Sequence, residues 1–324
     1  MASLSYKVRS TILGENTGPE ATGYSGMKNS TTTALQHYSF YQLAEYITLS
    51  GIGVSFLGII LNTLTYLTAG KFKLQNSSIT LIKCQAVWDT ISVVQDGIFE
   101  LTGEYFNYSV ININNTACKI LLFHSWGSTF TAIFHMMFLA LDRVTAIRFP
   151  VWYKQNSKPK LAYKLSICIA IFSYLVCSPN LRKFALVGPI CTLNASKSFI
   201  LYYAGFHVSF FAFALPFSIV FICNIYFVSS LHQRKKQNTN EKRLTIMLLT
   251  NNIVFCIICA GAASLHAFSF NFRAVTTRDK AIAVLANQTK LALLNVNSSA
   301  NFIFYFISGP MFRAAFFNVF KIYF

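Results

Sequence analysis

Four acidic residues recur at a spacing that places them along one side of a helix. Asp89, Asp96, Glu100 and Glu104 follow one another at intervals of 7, 4 and 4 residues, and residues at this spacing share a helical face. Because four carboxylates would repel one another on an apolar surface, we expect this face to border a wet cavity. There Asp96 and Glu100 would receive a cationic group of a ligand. The alternative is charge pairing with lysines of neighbouring segments, Lys119 and Lys290.

The rest of the chain lacks a catalytic constellation. We find no His/Cys cluster with metal-ligand spacing, no glycine-rich phosphate loop and no arrangement that suggests a Ser-His-Asp triad. An enzyme is therefore not expected.

The composition indicates that these residues lie in a membrane. Hydrophobic residues make up 54% of the 324 residues and charged residues only 11%, whereas a soluble domain has about 25% charged residues. The net charge is +17, but the basic residues lie between long apolar runs, unlike the clustered bases of nucleic-acid-binding proteins. The expected partner is the lipid bilayer and not a nucleic acid.

Seven segments are long enough to cross a bilayer, which needs roughly 20 mostly apolar residues. The clearest are the charge-free runs 46–69 and 199–231, of 24 and 33 residues. The weakest is the second, because it contains the acidic face and Lys83. The sequence therefore predicts an all-α membrane protein, a bundle of seven transmembrane helices. The predicted spans are residues 46–69, 78–103, 118–145, 161–179, 199–231, 244–272 and 281–308.

Charge and glycosylation sequons both orient this bundle with its N-terminus outside and its C-terminus inside. The inner segments then hold sixteen basic and three acidic residues, and the outer segments eleven and seven, as the positive-inside rule requires. Five sequons fall in outer segments, where glycosylation takes place: Asn29, Asn107, Asn114, Asn194 and Asn287. We expect a glycosylated outer tail (1–43), a domain of seven transmembrane helices (44–309) and a short amphipathic eighth helix with its tail (310–324).

Two of the eight cysteines lie on the oxidising side, one at the outer end of a predicted span and one in an outer loop. Cys118 begins the third span, and Cys191 lies in the loop between the fourth and fifth. A disulfide between them is chemically allowed there, and two free thiols are the alternative.

A set of motifs over residues 44–320 resembles the rhodopsin-like G-protein-coupled receptors. Asp142-Arg143-Val144 is similar to the family's Asp-Arg-Tyr signature, and Cys118 precedes Arg143 by the 25 residues that separate the family's disulfide cysteine from its arginine. The resemblance thus implies the Cys118–Cys191 bridge. Further matches are the polar anchors of the first two spans, the fifth-span proline and the seventh-span motif: Asn62, Asp89, Pro216 and Asn297 to Tyr305.

The chain also departs from the family pattern. Phe302 replaces the proline of the seventh-span motif, so the kink expected before Tyr305 lacks its usual cause. In the sixth span Ile258 to Gly261 occupy the stretch where the family has a proline hinge. These departures are those of a divergent member, of the kind expected for an invertebrate peptide-type receptor.

The resemblance implies a latch at the inner end of the third span. Arg143 would pair with Asp142 and with Glu241 at rest, and release would move the sixth helix outward and open a cavity for a heterotrimeric G protein. Tyr305 would belong to the same coupling machinery. The alternative for Asp142 and Glu241 is that they are solvated interfacial charges.

Asp89 lies in mid-membrane, where a lone carboxylate needs a proton or a cation. The resemblance implies an allosteric sodium ion, with oxygen ligands from the second, third and seventh spans: Asp89, Ser128, Asn297, Ser298 and Asn301. A hydrogen-bonded anchor without an ion is the alternative, and we expect no other cofactor.

Two residues that define other ligand classes of the family are absent from this chain, which narrows the class of ligand. Amine receptors of the family carry an aspartate where this chain has Ser125, and opsins carry a lysine where it has Asn295. The loop 182–194 alternates apolar and polar residues, which predicts a β-hairpin lid of the peptide-receptor type. A basic or amidated extracellular peptide is therefore the expected ligand. The candidate ligand-binding residues are Asp96, Glu100, His124, Ser125, Trp126, His207 and Lys290, although the aromatic ones are as readily explained by packing in a chain with 32 Phe.

The sequence thus predicts a multi-pass plasma-membrane receptor that binds an extracellular peptide and activates a G protein. Two alternatives remain: a seven-helix protein that binds its ligand without signalling, and a transporter. Transporters usually contain repeated halves, and none is found here.

Overall fold

Long helices follow one another along the chain with short connections between them. The computed structural model describes residues 27–72, 75–106, 108–233, 239–271 and 275–320, without the side chains of 27–38, 197, 204, 231–233, 239–241, 270 and 271. The α-helices are α1 Met27–Gly70, α2 Ser77–Tyr105, α3 Asn115–Arg148, α4 Pro150–Asn156, α5 Pro159–Cys177, α6 Pro179–Lys183, α7 Lys197–Ile200, α8 Leu215–Gln233, α9 Thr239–Asn271, α10 Thr277–Ser299, α11 Asn301–Ser308 and α12 Pro310–Val319. A π-helix, Leu201–Ala214, joins α7 to α8, and a 3₁₀ turn, Val110–Asn112, precedes α3.

Each predicted span corresponds to one or more of these helices. The spans are α1, α2, α3, α5, the continuous run from α7 through the π-helix to α8, α9, and the pair α10–α11. The first helix begins at residue 27 and not at 46. No proline or glycine occurs between residues 27 and 50, so nothing in the backbone stops the helix before it leaves the apolar segment.

Five helical segments are long and apolar enough to cross a membrane, and the pair α10–α11 makes a sixth if its two helices count as one span. These counts refer to the residues described above. The helix α2 is long enough, with 29 residues, but the acidic face and Lys83 make it more polar than the others. Large apolar side chains such as Ile167, Leu175 and Ile257 are exposed on the outer faces of the bundle, as expected for helices in contact with lipid.

The third span lies at the centre of the bundle. In the 18-residue stretch of α3 with high hydropathy, 67% is buried inside the bundle. The corresponding share for the other four membrane-spanning segments is 28–44%. One apolar cluster packs α3 against α5, the π-helix, α8 and α9 around Phe134 and Phe213. A second cluster packs the inner ends of α1, α2, α9 and α11 against α12 around Tyr305 and Phe312.

Proline and asparagine side chains explain several helix boundaries. The π-helix ends at Ala214, two residues before Pro216, which has no N–H to give to a preceding carbonyl and whose ring crowds the turn before it. Asn76 and Asn114 cap α2 and α3, since their side chains accept hydrogen bonds from the backbone N–H groups of Ile79 (3.1 Å) and Ala117 (2.8 Å).

The expected hairpin covers the outer end of α3. Strands β1 Phe184–Val187 and β2 Ile190–Leu193 pair antiparallel, and Gly188 in the turn has φ +62°, which favours glycine. The disulfide between Cys118 and Cys191 is present, which confirms that prediction. Asn112 and Asn115 accept hydrogen bonds from the hairpin backbone at Cys191 (2.8 Å) and Leu186 (3.1 Å).

The seventh span bends although it lacks the family proline. The helices α10 and α11 meet at 46°. The carbonyl of Ser298, which a continuous helix would pair with the N–H of Phe302, accepts a hydrogen bond from the Asn62 side chain at 2.9 Å. A side chain that enters the helical hydrogen-bond ladder is a known cause of kinks. The kink that the missing proline left in doubt is therefore present in this chain.

Substitution of Asn62 tests this account of the bend. Asn62→Leu should lower the free energy of unfolding by about 1–3 kcal/mol, because a buried carbonyl loses its partner. Thermal unfolding of the detergent-solubilised protein measures the effect. Thr63→Val is the matched control, because among the described residues the exposed Thr63 hydroxyl bonds only to the Ile59 carbonyl of its own helix. Equal melting temperatures for Asn62→Leu and the control would contradict the account.

Candidate functional site

Arg143 is fully buried at the inner end of α3 and is held by two neighbours. Its relative exposure is 0%. Its Nη2 donates to Asp142 Oδ2 at 3.1 Å and also to the Tyr153 hydroxyl of α4. The guanidinium carbon lies 5.2 Å from the centre of the Tyr153 ring, within cation–π range. The predicted Asp142–Arg143 pair is thus present, and a tyrosine ten residues away completes it.

The start of α2 supplies two further partners of Asp142. Ser77 donates to Oδ1 at 2.6 Å, Ser78 donates to Oδ2, and Tyr153 donates to Oδ2 at 2.8 Å. Both serines are in the first turn of α2, where unpaired N–H groups and the helix dipole favour a negative charge. We refer to Ser77, Ser78, Asp142, Arg143 and Tyr153 as the inner network. It joins α2, α3 and α4.

Tyr153 remains a hydrogen-bond donor at neutral pH. It belongs to α4, which lies outside the spans, and burial raises the pKa of its phenol above the ordinary value, while the charge of Arg143 acts in the opposite direction. The protonated hydroxyl can therefore donate to Asp142 while it accepts from Arg143.

The other two residues predicted for the latch are Tyr305 and Glu241. Tyr305 is buried on α11, and its hydroxyl accepts a hydrogen bond from Asn251 of α9 at 3.4 Å, which connects the seventh span to the sixth. Glu241 lies on α9, but its side chain is outside the described residues. Its contact with Arg143 stays a prediction.

Asp89 is a buried carboxylate surrounded by neutral hydrogen-bond donors. Asn301 donates to its Oδ2 at 2.8 Å, and the side chains of Ser298 and Gln85 also approach it. Oxygen atoms of a carboxylate and a hydroxyl suit a hard monovalent cation. Three of the five residues predicted for sodium, Asp89, Ser298 and Asn301, are therefore brought together.

Ser128 and Asn297 are not joined to that group by hydrogen bonds within the described part of the chain. The Ser128 hydroxyl donates to Gln95 Oε1 (2.9 Å) and to the Ser125 carbonyl (3.0 Å), one layer further out. Asn297 is half-buried on α10. The residues present fit a cation at Asp89, and ion binding itself stays a prediction.

The outer acids of α2 divide between two neighbouring helices. Asp96 Oδ1 accepts from the Ser125 hydroxyl of α3 at 3.3 Å. Glu100 instead lies against Gly51 of α1, where an added Cβ would stand 3.0 Å from its Oε2, and this oxygen has no hydrogen-bond partner among the described atoms. The structure thus places a carboxylate from α2 beside Ser125, the position that lacks the aspartate of amine receptors.

The other ligand candidates contact different neighbours. His124 bonds to the Tyr174 hydroxyl and His207 Nε2 to the Val176 carbonyl (2.9 Å), so both histidines face α5. Trp126 packs edge-to-face on Phe130. Lys290 of α10 donates to Asn287 Oδ1 at 3.0 Å. The structure therefore brings together Asp96 and Ser125, whereas each histidine contacts the fourth span.

The predicted glycosylation sites have different surroundings. Asn114 and Asn194 are exposed, and Asn114 caps α3 through its oxygen, which leaves its amide nitrogen outside that bond. Asn287 is half-buried within α10. Asn107 and the side chain of Asn29 lie outside the described residues. All five sites stay predictions.

Sequence reasoning missed most of the inner network. Ser77 and Ser78 follow the helix-capping Asn76, and a serine pair at a helix start is a recognisable anion-binding signal. Asn251, the partner of Tyr305, carried no such signal, because one polar residue in an apolar helix does not indicate which neighbour it faces.

Comparison with known proteins gives a match over most of the chain. Residues 47–305 match the family described as 7 transmembrane receptor (rhodopsin family). Two curated relatives are somatostatin receptor type 2 of Mus musculus and of Sus scrofa, each 24% identical over 217 residues, which is 62% of this chain and 58% of the relative. The chain therefore matches less than two thirds of the length of these relatives.

Replacement of Asp89 tests the cation site. Sodium chloride, compared with N-methyl-D-glucamine chloride at equal ionic strength, should stabilise the wild-type chain by on the order of 1 kcal/mol at several times the dissociation constant. Asp89→Asn should abolish that difference, because the anionic ligand is gone. Thermal unfolding of the solubilised protein measures both, and a Ser92→Ala variant of the same helix is the control. A sodium effect that survives Asp89→Asn would contradict the site.

Proposed function

Because the match spans residues 47–305, the chain belongs to the rhodopsin family of seven-transmembrane receptors, and we propose that it binds an extracellular peptide and activates a heterotrimeric G protein. As a member of this family it is a multi-pass protein of the plasma membrane. The inner network is the observation that carries the signalling part of the proposal. The name of the two relatives, somatostatin receptor, supports a peptide-type ligand.

The inner network would act as the resting latch. A buried guanidinium is costly unless its charge is paired and hydrogen-bonded. Asp142 pairs the charge of Arg143, and Tyr153 accepts a further hydrogen bond from its Nη2. Outward movement of α9 would open space at the inner end of α3 for a helix of the G protein. Arg143 would then leave Asp142 and contact the partner.

The signal from the ligand would pass through polar contacts between helices. A cationic group on the peptide would bind at Asp96 and Ser125, with Glu100 nearby on the same helix. Towards the inner face, Asp89 pairs with Asn301 and Tyr305 pairs with Asn251 of α9. A change at the outer end of α2 therefore has a connected route through the seventh span to the sixth.

A cation at Asp89 would stabilise this route in its resting arrangement. Asp89 and Ser298 would hold the ion, which would supply a compensating positive charge to the buried carboxylate. The protein groups already in place keep the carboxylate oriented towards α11.

G-protein activation in cells exposed to a library of basic and amidated peptides tests the function. A hit should raise G-protein turnover in the wild type, and Arg143→Ala should reduce the response at least ten-fold at equal surface expression. Asp96→Asn should raise the half-maximal peptide concentration by roughly ten-fold or more with an unchanged maximum, because a charge-assisted hydrogen bond contributes about 1.5–3 kcal/mol. Thr90→Val, on the same helix, is the control.

Two outcomes of this assay would contradict the proposal. Peptide binding without any G-protein response would favour the non-signalling alternative. Ion currents or substrate uptake without a G-protein response would favour a transporter or channel.

The predicted contact of Glu241 has its own test. Glu241→Ala should raise ligand-independent signalling roughly two- to five-fold, because an ion pair near a surface contributes up to about 1 kcal/mol to the resting state. Basal G-protein turnover, normalised to surface expression, measures the change. Lys242→Ala is the neighbouring control, and equal basal activity in Glu241→Ala and wild type would refute the contact.

A further inference from the structure

A groove on the lipid-facing surface of the bundle has both polar and apolar lining residues. It has a volume of about 370 Å³ and lies between α1, α2 and α5. Its polar lining includes Tyr66, Lys83 and Tyr163. None of its lining residues belongs to the candidate ligand-binding residues or to the inner network, so neither the proposed ligand nor the G protein accounts for it.

The three polar residues lie at nearly the same depth. Tyr66 is four residues before the end of α1, Lys83 six residues after the start of α2, and Tyr163 four residues after the start of α5. These three helix ends lie on the same side of the bundle. At 1.5 Å per residue, the polar groups stand about 6–9 Å inside the ends of the helices, which is the depth of lipid head groups and the first part of the acyl chains.

Lys83 is the unusual member of this group, because a lysine inside a span is costly unless its charge is compensated. Its Nζ donates to Gln75 Oε1 at 3.1 Å, a neutral acceptor. Among the described residues no carboxylate lies within 4.0 Å of it. The described residues thus leave a positive charge at the lipid-facing surface without an anionic partner, and a ligand from the membrane could supply the negative charge.

The groove continues from the polar group towards the middle of the membrane as an apolar channel. Val87 and Trp88 line it from α2, and Ile167 and Ile171 line it from α5. Val87, Ile167 and Ile171 are 44%, 61% and 57% exposed, so the channel is open to lipid along its length. A polar end near the membrane surface and an apolar channel below it match the shape of a phospholipid.

We propose that this groove binds an anionic glycerophospholipid. Its phosphate pairs with Lys83 and accepts hydrogen bonds from the Tyr66 and Tyr163 hydroxyls, and one acyl chain lies between Val87 and Ile171. Basic pockets between spans near the inner surface are a recognised setting for anionic head groups. A sterol offers only a neutral hydroxyl and would leave Lys83 uncompensated, so charge complementarity favours the phospholipid.

Lipid titration of the full-length purified chain tests the proposal without any signalling readout, so it is independent of the proposed function. Native mass spectrometry counts bound dioleoyl-phosphatidylglycerol and, separately, dioleoyl-phosphatidylcholine. The phosphatidylglycerol should bind with higher affinity, and Lys83→Gln should weaken its binding roughly five-fold, the effect of one basic residue near the surface. Lys164→Gln, an exposed lysine of α5 that does not line the groove, should bind like wild type.

A second variant separates loss of the site from loss of folding. Val87→Trp fills the channel and retains Lys83, and it should also reduce phosphatidylglycerol binding several-fold with an unchanged melting temperature in lipid-free detergent. Unchanged phosphatidylglycerol binding in both Lys83→Gln and Val87→Trp would overturn the proposal. So would cholesterol that displaces phosphatidylglycerol from the wild type and binds equally to Lys83→Gln, because the groove would then be a sterol site.

Discussion

The burial of one guanidinium group sets the arrangement of the inner half of the bundle. Arg143 is completely removed from solvent, and a buried cation is tolerated only when paired and hydrogen-bonded. Asp142 supplies the charge and Tyr153 a hydroxyl, and both are in turn hydrogen-bonded to serines at the start of α2. Three helices are thereby fixed relative to one another through a single charged group. Movement of any of them changes the free energy of that burial.

Deeper in the membrane, neutral side chains of neighbouring helices likewise provide hydrogen bonds to buried polar groups. The Asn62 side chain takes the Ser298 carbonyl, and Asn301 donates to Asp89. Close helix approach accompanies these bonds: a Cβ added at Gly58 would stand 2.9 Å from that of Ser299, which is typical of small residues at membrane helix interfaces. The bend of the seventh span follows from these contacts without a proline. A local motif can thus be lost while its geometry is kept by a neighbouring helix.

Charge has separate roles on the inside and the outside of the bundle. Much of the +17 net charge orients the chain, since basic residues gather in the inner segments. The acidic residues instead make individual contacts. Asp89 and Asp142 each have several hydrogen-bonding neighbours, whereas one buried oxygen of Glu100 has no hydrogen-bond partner among the described atoms. The lipid-facing Lys83 has a neutral partner in the protein, and its position on the surface is what points to a lipid.

The sequence by itself determined the class of protein. Seven apolar runs, the Asp142-Arg143 motif and the position of Cys118 predict the bundle and its disulfide, because membrane insertion depends on local composition that one segment carries alone. Only the tertiary structure decided which polar groups meet. Residues evenly spaced on one helix, such as Asp96 and Glu100, contact α3 and α1 respectively, because neighbouring helices cross at different depths and present different side chains to the same face. Contacts between helices depend on packing geometry, which residue spacing within one helix does not encode.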